Sequence, residues 1–315
     1  MVDSKKQWKA WLYLAPAIVL LLIFTVWPII NTFRLAFLEG YNEMEAIRGV
    51  SFKFGLANFK FVLKWKWFMS ALKNTMLLTV VTVPVSTILA LLIAVALNSI
   101  GPLKRLLQTI FFLPYVTNSI AIGMVFAAMF NIIGYQGLGD PNMHVEIGII
   151  NKLLGLFGAE PINWINPGSS WAANFTVMVI YIVWNALPFK ILILLGGLQS
   201  INKQYYDAAK VDGTSKARIL TRITVPLLSP MIAYVVITGF IGGFKEYSSI
   251  VGVFGEFMGP QVGSVGSMIT IVGLIYKVLP DTKYGYASAA ALVLFAIIMV
   301  ITLINLQVSK KRVHY

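Results

Sequence analysis

The sequence contains no cysteine and two histidines, and these scarcities exclude several kinds of chemistry. Without thiols the chain has no disulfide framework, no thiol nucleophile and no thiolate metal site. His144 falls in a polar loop and His314 at the end of the chain, and neither has a second histidine at metal-ligand spacing. We therefore expect both to be ordinary solvated side chains. With scattered carboxylates as well, the sequence offers no catalytic constellation and does not indicate an enzyme.

Acidic residues are also scarce, with 12 Asp and Glu against 25 Lys and Arg, a net charge of +13. The cationic residues lie at the ends of apolar runs rather than clustered on a soluble face, so the charge does not indicate a nucleic-acid partner. A proton- or sodium-driven carrier normally places Asp, Glu or His inside its spans. Here such residues are nearly absent from the apolar runs, with Glu246, near the end of one run, as the exception.

The sequence is instead rich in hydrophobic residues, at 58% of the chain against 12% charged residues and a mean hydropathy of +0.80. This composition is too apolar for a water-soluble globule and predicts an all-α membrane protein with about six transmembrane helices. The predicted spans are residues 11–37, 75–97, 106–130, 171–198, 226–247 and 285–306. The first run is too long for a cleaved signal peptide and lacks a small-residue cleavage site, so we expect an uncleaved span.

The segments between these spans predict smaller elements. Residues 39–73 form a polar connection in which Trp65 and Trp67 are interleaved with lysine, as in an interfacial helix. Residues 143–168 predict one or two short extracytoplasmic helices. Residues 263–278 are short for a span, so we expect an extracytoplasmic or re-entrant helix, with a seventh span as the alternative. If both termini are cytoplasmic, the cytoplasmic segments hold a modest excess of Lys and Arg.

A polar, basic segment at residues 202–230 separates two apolar blocks. Asn202 is placed to cap a short helix, Gly213 to end it in a left-handed turn, and Thr214 or Ser215 to cap a second helix. Asp207-Ala208-Ala209 is followed by three residues and Gly213, then by nine residues, Ile223 and Val225-Pro226. This spacing resembles the EAA loop of the membrane subunits of bacterial ABC importers, with conservative departures at Asp207 and Val225.

The resemblance implies a type I ABC-importer permease architecture, in which this loop forms a coupling helix that docks on a cytoplasmic ATPase subunit. It implies a cytoplasmic N-terminus at residues 1–10, a single transmembrane domain at residues 11–308 with the coupling loop at 199–225, and a cytoplasmic tail at 309–315. The residues that would couple to the ATPase are Asp207, Ala208, Ala209, Asp212 and Gly213. The implied location is the bacterial cell (plasma or inner) membrane, with multiple spans.

The partners implied by the resemblance are a second, similar permease in a heterodimer, two ATPase subunits, an extracytoplasmic sugar-binding protein and membrane lipid. ATP and Mg would be bound by the ATPase, and we expect no cofactor in this chain, because no Gly-x4-Gly-Lys-Ser/Thr loop is present. Asn74-Thr75 and the segment at residues 285–289 are similar to the carbohydrate-uptake branch of the family. A Gly-Gly-Pro element of that branch is only approximated at residues 255–260.

A solute pathway needs polar or aromatic groups at membrane depth. Tyr181, Trp184 and Asn185 share one face of the fourth predicted span near the midplane, where rings could stack on a sugar and the amide bind its hydroxyls. The alternative is that they pack between helices. Gly243 and Glu246 extend the candidate site to the fifth span. Close helix packing is the alternative for Gly243, and pairing with a snorkelling lysine is the alternative for Glu246.

Lys190 lies eight residues before the end of its predicted span, and we expect it to snorkel toward the cytoplasmic face. Thr117, Asn118 and Ser119 are further polar candidates in the third span. The function these features predict is ATP-driven, binding-protein-dependent import of a sugar, such as an oligosaccharide, by alternating access. The alternatives are an ABC importer of a phosphate ester such as glycerol phosphate or another polar solute, and a secondary carrier.

Overall fold

The computed structural model describes residues 7–100, 104–133, 146–262 and 265–312, and these are mainly helical. The predictions for His144, His314 and residues 1–6 and 313–315 fall outside these ranges. The α-helices are α1 (Gln7–Leu21), α2 (Trp27–Phe37), α3 (Glu43–Ile47), α4 (Ala57–Lys64), α5 (Lys66–Ser99), α6 (Lys104–Val116), α7 (Ser119–Phe130), α8 (Ile149–Leu156), α9 (Trp171–Ser200), α10 (Lys203–Val211), α11 (Lys216–Ile219), α12 (Val225–Leu227), α13 (Ser229–Phe244), α14 (Ser248–Phe254), α15 (Ile271–Val278) and α16 (Tyr284–Arg312).

Two short antiparallel β-ladders accompany the helices. They pair β1 (Ile132–Ile133) with β2 (Glu146–Ile147) and β3 (Gln261–Val262) with β4 (Val265–Gly266). A π-helical segment, Leu22–Val26, joins α1 to α2, and another, Leu220–Thr224, joins α11 to α12. The all-α fold class is therefore confirmed, with strands limited to these ladders in the described part of the chain.

The described residues contain four helices that are long and apolar enough to cross a membrane, at Trp8–Phe37, Lys66–Ser99, Trp171–Ser200 and Tyr284–Lys310. A fifth candidate is a bent pair, Lys216–Leu227 and Ser229–Phe244, whose two helices meet at 71°. The predicted count of six is not confirmed. The difference arises at the third predicted span, which is two helices rather than one.

The break in that third span lies at Thr117 and Asn118. The side chain of Asn118 accepts a hydrogen bond of 2.9 Å from the backbone N–H of Ile120 and so caps the start of α7. At a rise of ~1.5 Å per residue, α6 and α7 each fall short of the ~30 Å hydrocarbon layer. The polar residues at 117–119 therefore mark a helix boundary inside an apolar run.

One other predicted boundary is corrected, and two predictions of short helices are confirmed. The second span begins at Lys66, so Trp67 belongs to the long α5 and not to a separate interfacial helix. Helix α15 has 8 residues, which is too short to cross a membrane, so the seventh span is wrong and a short helix is correct. Within the described part of residues 143–168 there is one helix, α8.

The chain divides into two compact units, and the predicted single domain stays a prediction. The first unit contains residues 1–68 and 275–293. Its centre is Asn58, whose side-chain amide donates to the carbonyls of Ala36 and Leu38 at 3.0 and 2.7 Å and accepts from the N–H of Gly40. One buried amide therefore holds the turn that follows α2.

The second unit contains residues 69–274 and 294–315. It has two hydrophobic clusters, both built on α9. One cluster contains Ala90, Ala94, Leu97, Ile191, Leu194, Leu195, Leu198, Leu228 and Val235. The other contains Leu78, Phe130, Val177, Met178, Tyr181, Ile250, Val253 and Met268. Because the α5, α9 and α13 side chains in the first cluster are mutually buried, these three helices form the frame of the candidate site.

Candidate functional site

A cavity of about 260 Å³ lies within the second unit. Its wall is formed by residues of α5, α6, α9, α13 and α14 and of the connection between α13 and α14. Three of the five predicted solute-site residues, Asn185, Gly243 and Glu246, line this cavity. These residues come from different elements, so the fold brings together groups that lie up to 61 positions apart in the sequence, from Asn185 to Glu246.

Tyr181 and Trp184 lie beside the cavity and do not line it. The Tyr181 side chain is fully buried, and its hydroxyl group donates to the backbone carbonyl of Ser119. Both aromatic rings pack on Phe126 of α7, with ring centroids 5.0 Å away for Tyr181 and 5.2 Å for Trp184. Asn185 donates to the Ser119 hydroxyl at 3.2 Å. The two aromatic residues therefore occupy the packing positions that the alternative interpretation assigns to them.

Gly239 and Gly243 bring α13 close to α5. A β-carbon on Gly243 would lie 2.8 Å from the side chain of Thr79, and one on Gly239 would lie 3.1 Å from Val83. Real β-carbons do not come as close as 2.8 Å to a neighbouring heavy atom, so the contact at Gly243 requires glycine. Gly243 thus serves close helix packing and also forms part of the cavity wall.

Glu246 follows α13 and holds the start of α14. One carboxylate oxygen, Oε1, accepts the backbone N–H groups of Tyr247 and Ser249, each at 3.1 Å. Among the residues that the structure describes, the ion pairs join Lys210 to Asp207 and Lys283 to Asp281. The predicted pairing of Glu246 with a neighbouring lysine is therefore absent there, and the carboxylate acts as a cap.

Lys190 also lines the cavity, and the prediction that it snorkels to the cytoplasmic face is wrong. Its side chain is buried, and its ammonium group donates to the carbonyl of Val83 at 3.2 Å and to the hydroxyls of Ser86 and Thr87 at 2.7 and 2.9 Å. Snorkelling is unnecessary because α5 supplies three acceptors. The available sequence signal was the recurrence of Ser and Thr along one face of the second span.

The predicted coupling loop forms a helical hairpin of α10 and α11. Asn202 caps α10 by accepting the N–H of Gln204 at 3.0 Å, as predicted, and Gly213 has the predicted left-handed backbone with φ of +66°. Ser215 precedes α11 without a side-chain capping bond. Within α10, Ala209 is buried while Asp207 and Ala208 are exposed.

A second cavity, of about 500 Å³, opens in this hairpin. Three of the five predicted coupling residues line it, and the full lining is Tyr205, Ala208, Ala209, Asp212, Thr214, Arg218, Arg222 and Ile223. The hairpin continues through α12 into α13 with the bend of 71°. Helix α13 in turn carries Gly239 and Gly243, so one continuous stretch of chain joins the hairpin to the first cavity.

Long apolar helices around a cavity with both polar and apolar lining groups are features of a multi-pass membrane protein. Residues 86–314 match the family described as binding-protein-dependent transport system inner membrane component, and the chain belongs to that family. The chain is 30% identical over 308 residues to the arabinooligosaccharides transport system permease protein AraP of Bacillus subtilis, covering 97% of this chain and 90% of that protein. It is 29% identical to the lactose transport system permease protein LacF of Rhizobium radiobacter, covering 96% and 94%.

A solved structure gives the same fold. The bacterial alginate ABC transporter in complex with alginate pentasaccharide-bound periplasmic protein contains a chain that superposes with a TM-score of 0.79 and 21% sequence identity. The match covers 98% of this chain and 96% of that chain. The described fold is therefore that of a type I ABC-importer permease, and the chain is a multi-pass inner-membrane protein whose named relatives are transport permeases.

Proposed function

We propose that this chain is a membrane-spanning subunit of an ATP-driven, binding-protein-dependent importer that moves a sugar, such as an oligosaccharide, by alternating access. The observation that carries the proposal is the cavity that gathers Asn185, Gly243 and Glu246 in the middle of a helical bundle. An amide and a carboxylate can bind hydroxyl groups, while the apolar remainder of the wall suits the carbon face of a sugar ring. The named relatives and the alginate transporter fit an oligosaccharide-type solute.

The coupling hairpin supports the ATP-driven part of the proposal. Exposed Asp207 and Ala208 and the nearby Asp212 and Gly213 offer a polar, small-residue surface to a cytoplasmic ATPase. Ala209 is buried and therefore holds the hairpin together from inside. Movement of the hairpin would reach the cavity along α12 and α13, and both chain termini would lie on the hairpin's side of the membrane.

The remaining partners follow from this arrangement. A second permease would complete the pathway as a heterodimer, two ATPase copies would bind the paired hairpins, and an extracytoplasmic binding protein would deliver the sugar. Import of a phosphate ester is the second candidate, because Lys190 places a cation in the cavity wall. All three N–H groups of that ammonium are already donated to α5, which favours the sugar.

The test is the ATPase activity of the purified complex in lipid, with and without binding protein. The solutes compared are arabinotriose, lactose, maltotriose, an alginate oligosaccharide and glycerol 3-phosphate. We expect stimulation by one sugar class, and we expect Asn185→Ala and Glu246→Gln to reduce uptake while the complex still assembles. Glu160→Gln, at an exposed loop position, is the matched control. Stimulation by glycerol 3-phosphate alone would favour the second candidate, and unchanged uptake in both variants would contradict the assignment of the cavity.

A further inference from the structure

Three of the threonine and serine hydroxyls on the cavity wall donate their protons to backbone carbonyls of their own helices. Thr82 donates its hydroxyl proton to the carbonyl of Leu78 at 2.7 Å, and Thr238 donates to the carbonyl of Tyr234 at 2.7 Å. Ser86 donates to the carbonyl of Thr82. A carbonyl oxygen can only accept, so in each pair the hydroxyl must be the donor. All three residues line the cavity, and each has its proton committed to its own helix.

A hydroxyl group whose proton is already donated in one hydrogen bond keeps two lone pairs, and these can only accept further hydrogen bonds. Thr82 and Thr238 retain both lone pairs, whereas Ser86 uses one to accept from Lys190 at 2.7 Å. The wall therefore presents acceptors from two different helices, α5 and α13, on the same cavity. The hydroxyls resemble donors by residue type, but their geometry makes them acceptors.

The charged groups of the wall reinforce this pattern. The Glu246 carboxylate accepts two backbone N–H groups at Oε1 and a side-chain hydrogen bond from Ser249. A carboxylate has about four acceptor positions, so it can still accept from a solute. The Lys190 ammonium has three N–H donors, and all three are taken by oxygens of α5. Of the described polar side chains on the wall, Asn185 and Tyr115 are those that can still offer a proton to a solute.

Because the wall has more free acceptors than free donors, and resting on the proposed function, we propose that Thr82, Thr238 and Glu246 accept hydrogen bonds that the solute donates. The solute it fits is a neutral, polyhydroxylated sugar whose free hydroxyls donate to the wall. A phosphate ester, or a sugar whose hydroxyls are blocked, would place its own acceptor oxygens against the acceptor oxygens of the wall. Both sets of oxygens would lose their hydrogen bonds to water without gaining a donor, so such a solute should bind less well. Thr82 and Thr238 are thereby specificity-determining residues.

The experiment measures uptake by the full complex in proteoliposomes at saturating binding protein, using the sugar from the panel above that stimulates the ATPase. Thr82→Val and Thr238→Val remove the acceptor lone pairs with little change of shape, and we expect each to lower the uptake rate about fivefold. Thr238→Ser keeps the hydroxyl and should therefore retain most of the uptake rate. Thr176→Val is the matched control, because Thr176 makes the same bond to its helix, to Ala172 at 2.8 Å, on an exposed surface.

A second arm changes the solute instead of the protein. Replacing a sugar hydroxyl by fluorine keeps an acceptor and removes the donor, so the fluorinated sugar should be taken up more slowly by the wild type. For the hydroxyl that meets Thr238, the penalty should disappear in Thr238→Val. Binding-protein affinity for each analogue is measured separately, so that a loss at delivery is not mistaken for a loss in the cavity.

Two results would overturn the proposal: equal uptake of every singly fluorinated sugar and its parent, or wild-type uptake in both valine variants. Stimulation of the ATPase by no sugar would contradict the proposed function itself, and the inference would fall with it. Sugar-stimulated ATPase activity together with unchanged valine variants would leave the proposed function standing and remove only the role of the hydroxyl wall.

Discussion

The ammonium group of Lys190 on α9 donates a hydrogen bond of 2.7 Å to the hydroxyl of Ser86 on α5. The Ser86 hydroxyl in turn donates its own proton to the carbonyl of Thr82. Without Lys190, the Ser86 hydroxyl keeps its acceptor, the Thr82 carbonyl. Without Ser86, the Lys190 ammonium loses one of its three acceptors, all of which lie on α5. This inequality has a measurable thermodynamic consequence.

We expect Ser86→Ala to destabilise the protein more than Lys190→Met. The alanine leaves a buried ammonium short of an acceptor and should cost about 1–3 kcal/mol. The methionine removes the charge and leaves the Ser86 and Thr87 protons on their carbonyls, so its effect should stay within about 1 kcal/mol. Thermal unfolding of the purified protein in lipid measures both. Ser99→Ala, at an exposed serine that donates to Ala96, is the control, and greater damage from Lys190→Met would contradict the prediction.

Asn74 should be the most sensitive polar residue of the second unit. Its amide donates to the carbonyls of Ser267 and Ile269, each at 3.0 Å, and accepts from the Trp171 indole at 3.1 Å. Asn74→Ala leaves these buried groups unpaired, and we expect a loss of about 2–4 kcal/mol in unfolding free energy.

Two further variants test the cause of that loss. Asn74→Asp keeps an acceptor for Trp171 but turns a carboxylate toward two carbonyls, so it should be at least as damaging as the alanine. Asn163→Ala should cost less, because its bond to the Pro167 carbonyl is exposed and the bond that it accepts from the N–H of Asn166 is only partly buried, so water can replace them more readily. Equal losses for Asn74→Ala and Asn163→Ala would show that burial does not decide the effect.

Gly123 should not tolerate a side chain. It lies where α7 crosses α14, and a β-carbon there would be 2.6 Å from the backbone of Gly252. Gly123→Ala must push the helices apart, with an expected cost of about 1–3 kcal/mol. Gly196→Ala is the control, because a β-carbon there meets nothing within 4 Å and alanine favours the helix by roughly 0.5–1 kcal/mol. A thermal unfolding midpoint that rises in both variants would contradict the close crossing.

Ala208 and Ala209 should respond differently to enlargement, although the sequence presents them as a pair. Ala208 is exposed on α10, so Ala208→Trp should leave the hairpin folded and block docking of the ATPase, lowering sugar-stimulated ATPase activity about tenfold or more. Ala209 is buried, so Ala209→Trp should also reduce the thermal stability of the permease.

The readouts for this pair are ATPase activity in proteoliposomes and retention of the ATPase during purification. Ala159→Trp, at an exposed site in the loop after α8, is the control for a bulky surface residue. We expect it to leave both readouts unchanged. Normal coupled activity in Ala208→Trp would count against docking through this face of α10.

The sequence by itself determined the features that depend on neighbouring residues and on composition. The long apolar runs set the membrane class and the positions of most helices, because the length of hydrocarbon to be crossed acts on each run separately. The Asn202 cap and the left-handed Gly213 were predictable because they depend on bonds between residues a few positions apart. The break at Thr117-Asn118 was not predicted, because the apolar run around this polar pair indicated one continuous span.

Tertiary structure alone decided which side chains meet. Asn74 reaches a carbonyl 193 residues away, and no local pattern specifies that contact. Lys190 stays buried because three oxygens of α5 accept its hydrogen bonds, whereas its position in the sequence predicts that it snorkels to the membrane surface. Tyr181 shares a helix face with Asn185, yet it packs on α7 while Asn185 lines the cavity. Packing against distant segments fixes the rotation of each helix about its axis. The sequence therefore identifies candidate solute-binding residues, and the tertiary structure decides which of them line the cavity.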